Sequence, residues 1–138
     1  MTVYNSAKGG AQVLVVEDDP IQRRLLKNAI ERHGHVAHLA ENGRLGLEVL
    51  KRNSDQINVI VLDLMMPEVS GFNVVAALHD SPDTAGIPIL IVTSKTITPE
   101  DRDELNGFVS TIMEKADFDG VRFAGEIRRA MSGRPAGV

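Results

Sequence analysis

Five short apolar runs punctuate the chain: AQVLVV (11–16), HVAHLA (35–40), INVIVL (57–62), IPILIV (87–92) and GFVSTIM (107–113). They are rich in Val and Ile, and residues 57–62 and 87–92 are apolar almost throughout. Strands covered on both faces carry that pattern, so the runs predict a mostly parallel sheet between helices. Helix-like segments alternate with them. Asp19 is a natural N-cap with Pro20 at the first helical position, and Ile21, Leu25, Ala29 and Ile30 form an apolar stripe that Gly34 ends. Asn42 opens a second helix toward Leu50. Ser70 or Gly71 opens a third, with Phe72, Val75 and Ala76 on one face. Thr98, Pro99 and Asp101 give a fourth start, over residues 98–106, with little apolar surface beyond Ile97 and Leu105. That helix is expected to be loosely held. A fifth, from Phe118 to Met131, buries Ala124, Ile127 and Met131 and shows Arg122, Arg128 and Arg129 to solvent.

This alternation predicts an α/β fold, an open doubly wound sheet with right-handed crossovers. A chain of 138 residues fits a single domain, here 11–132, with flexible ends at 1–10 and 133–138. Met1 reads as a true N-terminus, the chain being a stand-alone protein or the first piece of a longer one.

Charge and composition narrow the function classes. Fifteen basic against 19 acidic residues leave a formal charge of −4, without the basic surplus of a nucleic-acid-binding face. With no cysteine, disulfide and thiol chemistry are excluded and a cytoplasmic location is the simpler expectation. No apolar run is long enough to span a membrane.

The stretch LVVEDDP (14–20) then stands out, because three acids follow a buried strand at once. Adjacent carboxylates repel unless a cation, a proton or a helix terminus offsets them. In doubly wound sheets the ligand site lies beyond the carboxyl ends of the strands. Glu17 and Asp18 end the first strand, Asp63 the third, Thr93 and Ser94 the fourth, and Lys115 the fifth. Clustered carboxylates with few other ligands favour Mg²⁺, while Lys115 and Thr93 suit an oxyanion and Asp63 can act as a nucleophile toward phosphorus. Taken singly, EDD before proline is a capped helix start, Asp63 a turn residue and Lys115 a surface lysine; their common rim makes the joint reading the stronger one. His33, His35 and His38 lack zinc-site spacing and read as structural or exposed.

LVVEDDP, VLDLMMPEVSG, ILIVTS and the isolated Lys115, in this order and spacing, resemble the receiver domain of two-component response regulators over about residues 12 to 131. Asp63, Met66, Pro67 and Gly71 match the family's D-x-x-M-P-x-x-x-G pattern. The resemblance implies a (βα)5 fold whose five-stranded parallel sheet has the flavodoxin-like order 2-1-3-4-5. It implies that Asp63 accepts a phosphoryl group from a sensor histidine kinase or a histidine phosphotransfer protein. Asp18 and Asp63 would hold Mg²⁺, with Glu17 acting through a water and the Met65 carbonyl as a further ligand. Thr93, the Ser94 N–H and Lys115 would meet the phosphoryl group, leaving Asp19 to cap a helix. Phosphorylation would then shift the face built from the fourth helix, fifth strand and fifth helix, in a monomer or a phosphorylation-dependent dimer. Lys95 and Met65 flank the attacking-water path and could tune the phosphoryl lifetime.

Two positions depart from the family. Ala116 follows Lys115 where members usually carry proline, often through a cis bond that a non-proline residue makes only at ~2.5–4 kcal/mol. Ile112 stands where many members place the aromatic ring that reports the switch. These substitutions give some weight to an alternative, a vestigial module that binds a partner without phosphorylation. A Mg²⁺-dependent phosphatase like the haloacid dehalogenase-like enzymes would need a second acid at Met65, so a multiple-turnover enzyme is not expected. A flavin carrier would want aromatic rings and a hydroxyl-rich first loop, and the chain has one Tyr, no Trp and acids there.

Overall fold

The structure is a computed structural model and describes residues 10–133. Its strands are β1 (Gln12–Val16), β2 (Val36–Ala40), β3 (Val59–Leu62), β4 (Ile89–Thr93) and β5 (Thr111–Glu114). Its helices are α1 (Pro20–Arg32), α2 (Gly43–Asn53), α3 (Gly71–Asp80), α4 (Pro99–Leu105) and α5 (Gly120–Gly133). The five strands form one sheet in the order β2-β1-β3-β4-β5, every pairing parallel, as expected.

The helices divide between the two faces, so each face of the sheet supports its own core. Leu14, Val16, Ile60, Leu62, Ile89 and Ile91 pack with Leu50 of α2, Val74 and Leu78 of α3 and Leu105 of α4. Val13, Val15, Val61 and Val92 point the other way, toward Leu26 and Ile30 of α1 and Phe123 and Ile127 of α5. Alternate residues of one strand therefore serve opposite cores, which is why the central strands read as unbroken apolar runs. Only the edge strand β2 exposes residues, at His38 and Leu39.

Helix starts follow local chemistry. Asp19 accepts the Ile21 N–H, Asn42 the Leu45 N–H, Ser70 the Asn73 N–H and Thr98 the Asp101 N–H. Four orphaned donors are thus satisfied by side chains that the sequence supplies at the expected places.

The apolar phase differs from expectation in three helices. In α1 the buried residues are Leu26, Ala29 and Ile30, while Ile21 is 74% and Leu25 44% exposed. Leu26 lies one residue, about 100° of helix, round from Leu25, and that rotation puts it over the sheet. In α3 the inner face is Val74, Val75 and Leu78; Ala76 is exposed and Phe72 half-buried. In α5 Phe123 joins Ala124 and Ile127 in the core, and Met131 is only half-buried.

The fifth apolar run also shifts. Residues 107–110 precede β5: Gly107 takes a left-handed φ of +86°, the Phe108 N–H closes a turn onto Leu105, and Phe108 stacks edge-on against His79 at 4.4 Å. The expected flexible ends fall outside the described residues at 1–9 and 134–138, and α5 continues through Gly133. Among the described residues no helix is long and apolar enough to cross a membrane.

The three histidines form no cluster. His35 is buried and its Nδ1 accepts the Ala11 N–H, His33 bonds the Ala29 carbonyl, and His38 meets the Gln12 side chain at the surface.

Candidate functional site

Parallel register brings the site together. Val16 of β1 lies beside Leu62 of β3, and the next backbone bond, Asp63 N–H to the Val16 carbonyl at 3.2 Å, carries the pairing one residue past the strand ends. On the other side, the Glu17 N–H donates to the Ala40 carbonyl at 3.1 Å. Glu17 and Asp63 are therefore set at adjacent strand ends, where they are 1% and 3% exposed. With half-buried Asp18 they offer carboxylate oxygens that all lie within 4.8 Å of one another.

The third acid of the opening stretch does something else. Asp19 caps α1, and its own N–H donates to Glu17 Oε2 at 3.2 Å. Of the expected division of EDD, two acids for a metal and one for the helix, the geometry shows the Asp19 cap and brings Glu17 and Asp18 together with Asp63.

Lys115 arrives from the end of β5. Its Nζ lies 2.6 Å from Glu17 Oε1 and 3.2 Å from Asp63 Oδ2. No peptide bond among the described residues is cis, and Lys115–Asp117 form a short 3-10 turn. Ala116 thus takes a trans route, and the ammonium still reaches the acids.

Burial dominates the electrostatics. It pushes the Glu17 carboxyl up from 4.5 to about 7; the Lys115 hydrogen bond opposes this and the charge of Asp63 reinforces it. Burial also pulls the Lys115 ammonium down, but its bond to Glu17 and the charges of Asp63 and Glu17 outweigh that and hold it above its ordinary value. One ammonium faces three carboxyl groups, so the pocket has room for further positive charge.

The loop that carries Asp63 is clamped onto itself. Asp63 Oδ1 accepts the Met65 N–H at 3.1 Å, while Leu64 and Met66 are buried and the Met65 side chain is exposed. Gly71 donates to the Leu64 carbonyl at 3.0 Å, and a Cβ there would collide with the Asp63 carbonyl and Leu64 Cα. The glycine of the D-x-x-M-P-x-x-x-G pattern is therefore required by close backbone approach.

Thr93 ends β4 fully buried, and its Oγ1 accepts the Lys95 N–H at 3.2 Å; Ser94 beside it is exposed. Ile112 sits half-buried in β5 against the core on the α2, α3 and α4 side. Three contacts were not foreseen from the sequence. Lys95 pairs with Asp101 at 2.7 Å, Glu114 accepts the Ile97 N–H at 3.3 Å, and Arg23 Nη1 donates to the Glu17 and Asp18 carbonyls. Only Asp101 had a signal, as the third residue of a helix opened by Thr98 and Pro99.

Comparison with known proteins bears on the family and the fold. The model of the response regulator receiver domain matches residues 13–116. Protein PilH of Pseudomonas aeruginosa is 34% identical over 85 residues, 62% of this chain and 69% of that protein. Among solved structures, the signal receiver domain of a signal transduction histidine kinase from Syntrophus aciditrophicus superposes with a TM-score of 0.80 at 27% identity, covering 94% of this chain and 97% of that one. The chemotaxis protein CheY4 of Vibrio cholerae gives 0.78 at 25% identity, covering 88% and 98%. Other curated relatives are longer, and the chain spans 12% to 38% of their lengths.

Proposed function

The chain belongs to the response regulator receiver domain family, the signal-transduction module of two-component systems, and we propose that it is a phosphoacceptor switch acting through Asp63. One observation carries the reading: Asp63 is a buried carboxylate with one oxygen on the Met65 N–H and the other on Lys115, in a cluster with Glu17 and Asp18. The donor is the phosphohistidine of a sensor histidine kinase or histidine phosphotransfer protein in the cytoplasm.

In the transfer an Asp63 oxygen bonds to phosphorus as the P–N bond of the donor breaks, and the imidazole, already protonated on its other ring nitrogen, leaves as the neutral ring with that bond's electron pair. Such transfers depend on in-line positioning and charge neutralisation. The donor set suits Mg²⁺, since it offers hard carboxylate oxygens in a pocket of net negative charge. Glu17, Asp18, Asp63 and the Met65 carbonyl would hold the ion, which when bound neutralises and orients phosphoryl oxygens. The fixed groups do the rest. The Met65 N–H orients the nucleophile, and Lys115, already at the Asp63 oxygen, is ready to pair with the new charge.

The acyl phosphate carries ≈ −1.5 to −2 charge on its phosphoryl oxygens, where the free Asp63 carboxylate carried a single negative charge. Thr93 and the Ser94 N–H would turn toward it, and a rotation of Thr93 away from the Lys95 N–H that its hydroxyl accepts would disturb the loop into α4. Bias of that two-state element changes the α4–β5–α5 face. Without a second acid at Met65, the protein loses its phosphoryl group by self-catalysed hydrolysis and does not turn over outside substrates. Residues 11–132 form the switching unit, as a monomer or a phosphorylation-dependent dimer.

The test is phosphorylation by acetyl phosphate or phosphoramidate with and without Mg²⁺, read by intact mass. The expected result is one Mg²⁺-dependent phosphate adduct that Asp63→Asn lacks. No adduct on the wild type, where a control receiver domain is labelled, would favour a binding module that works without phosphorylation, the reading to which Ile112 and Ala116 lend weight.

A further inference from the structure

Past Val16 the main chain of Glu17 and Asp18 leaves the sheet, and its carbonyls need partners from elsewhere. Arg23, on α1, provides one. Its Nη1 lies 2.9 Å from the Glu17 carbonyl and 3.3 Å from the Asp18 carbonyl, and its backbone N–H donates to the Asp19 carbonyl at 2.8 Å. One residue thus grips three consecutive carbonyls of the EDD stretch.

The choice of acceptors is informative. Arg23 is a half-buried cation beside three acids, yet among the described residues its guanidinium forms no ion pair with any of them within 4.0 Å. It binds the backbone of Glu17 and Asp18 and leaves the carboxylate oxygens of these two to the cluster with Asp63. Both carbonyls are met by the same nitrogen, Nη1, and a lysine ammonium, carried on a stem one bond shorter, falls short of that position.

We propose that Arg23 is a positioning residue of the acid cluster, holding the Glu17–Asp18 main chain so that both carboxylates stay aimed at a divalent cation. The proposal rests on the phosphoacceptor reading. Its role resembles that of outer-shell groups in metal sites, whose loss typically costs 10–100-fold in affinity. Here the guanidinium reaches the carbonyls rather than the liganding oxygens, so a loss of roughly 10-fold, the lower end of that range, is expected.

Charge and positioning predict opposite signs. If Arg23 acted only as a nearby positive charge, Arg23→Ala would tighten cation binding and Arg23→Lys would leave it unchanged. If it positions the ligands, both variants weaken binding.

The experiment is Mg²⁺ binding by calorimetry and Mn²⁺ binding by electron paramagnetic resonance on wild type, Arg23→Lys and Arg23→Ala. Circular dichroism checks that each variant is folded. The positioning role predicts weaker binding by both variants and faster amide exchange at Glu17 and Asp19, whose N–H groups are bonded to the Ala40 carbonyl and to Glu17 Oε2. It also predicts a raised half-saturating Mg²⁺ concentration for labelling by phosphoramidate, with the rate at saturating Mg²⁺ nearly unchanged. Tighter binding by Arg23→Ala, or wild-type affinity in Arg23→Lys with unchanged exchange, would overturn it. Wild type that binds neither ion would overturn the cation site itself, a result distinct from variants that bind as wild type does.

Discussion

The loop after β1 and the loop after β4 both pass the chain from a buried strand to a helix that opens on a side-chain cap and a proline, Asp19–Pro20 in one and Thr98–Pro99 in the other. Beyond that start they differ. The first helix runs 13 residues and sinks Leu26, Ala29 and Ile30 into a core. The second runs seven, and its one buried apolar residue is Leu105. The first loop is gripped through its backbone, by Ala40, by Arg23 and by the cap. The second is held at the edges by side chains: Lys95 and the Thr98 N–H on Asp101, the Ile97 N–H on Glu114, and the Lys95 N–H on Thr93. A half built on main chain and core suits fixed ligands, and a half built on exchangeable polar contacts suits movement. Where many family members use an aromatic ring at position 112, this chain has Ile112 and a set of carboxylate contacts around the same loop.

Lys115 reaches from the end of β5 to Glu17 and Asp63, and removing it should produce the largest effect. Lys115→Met leaves Glu17 and Asp63 buried with no cation between them. Losing one partner of a buried pair costs about 3–5 kcal/mol, to be read by urea unfolding in EDTA at pH 8. The deficit should shrink at pH 6, where Glu17 takes up a proton, and on adding Mg²⁺, which replaces the missing charge. An equal deficit in all three conditions would mean that Lys115 contributes by packing alone.

The second effect belongs to the fixed half. Glu17 has its folded pKa raised from 4.5 to about 7, so the folded state binds more protons than the unfolded state across that window. Its contribution is fully present below about 4.5 and lost as pH rises through about 7, an effect on the order of 3 kcal/mol. In EDTA the Glu17 contribution should therefore fall between pH 5 and 8. Glu17→Gln should flatten the curve over that range, and Mg²⁺ should flatten it in the wild type by stabilising the charged form. A wild-type curve that Glu17→Gln does not change would remove the carboxyl from the account.

How much of this division is legible in the sequence depends on the range of the interaction. Strands buried on both faces announce themselves in INVIVL and IPILIV, and caps such as Asp19 and Ser70 act within three residues, so both read directly. Asp63 and Lys115 are legible because strand ends in a parallel sheet share a rim, whatever their separation along the chain. Phase is harder. In α1 both Leu25 and Leu26 are apolar, and only the approach of the sheet decides which is buried. The start of β5 escapes for a similar reason, since Phe108 and Val109 look like strand but follow the left-handed Gly107. Arg23 escapes altogether because a side chain bonding carbonyls five and six residues back leaves no periodic trace.

The smallest effect should be the most local, and it sharpens the comparison most. Asp101 accepts from Lys95, from the Thr98 N–H and, through its own N–H, ties back to the Thr98 hydroxyl, completing a capping box. The Lys95 hydrogen bond, with the Thr98 N–H, holds its carboxyl below the ordinary value of 3.8. Its contribution is thus present above about 3.8 and lost as pH falls through the lower folded value, so at neutral pH the contact is fully made. Asp101→Ala should leave the urea midpoint nearly unmoved, because α4 buries little, yet speed amide exchange over residues 95–102 by roughly 5-fold, the scale of a lost helix cap. Amides at Glu17 and Asp19, anchored on the other side of the rim, should exchange as in the wild type. If both loops loosen together, the rim is one cooperative unit and the contrast between a fixed half and a movable half is lost. If only the β4–α4 loop loosens, the contacts of Asp101 are what restrain that loop in the unphosphorylated protein, and the same variant should be labelled by phosphoramidate at least as fast as the wild type.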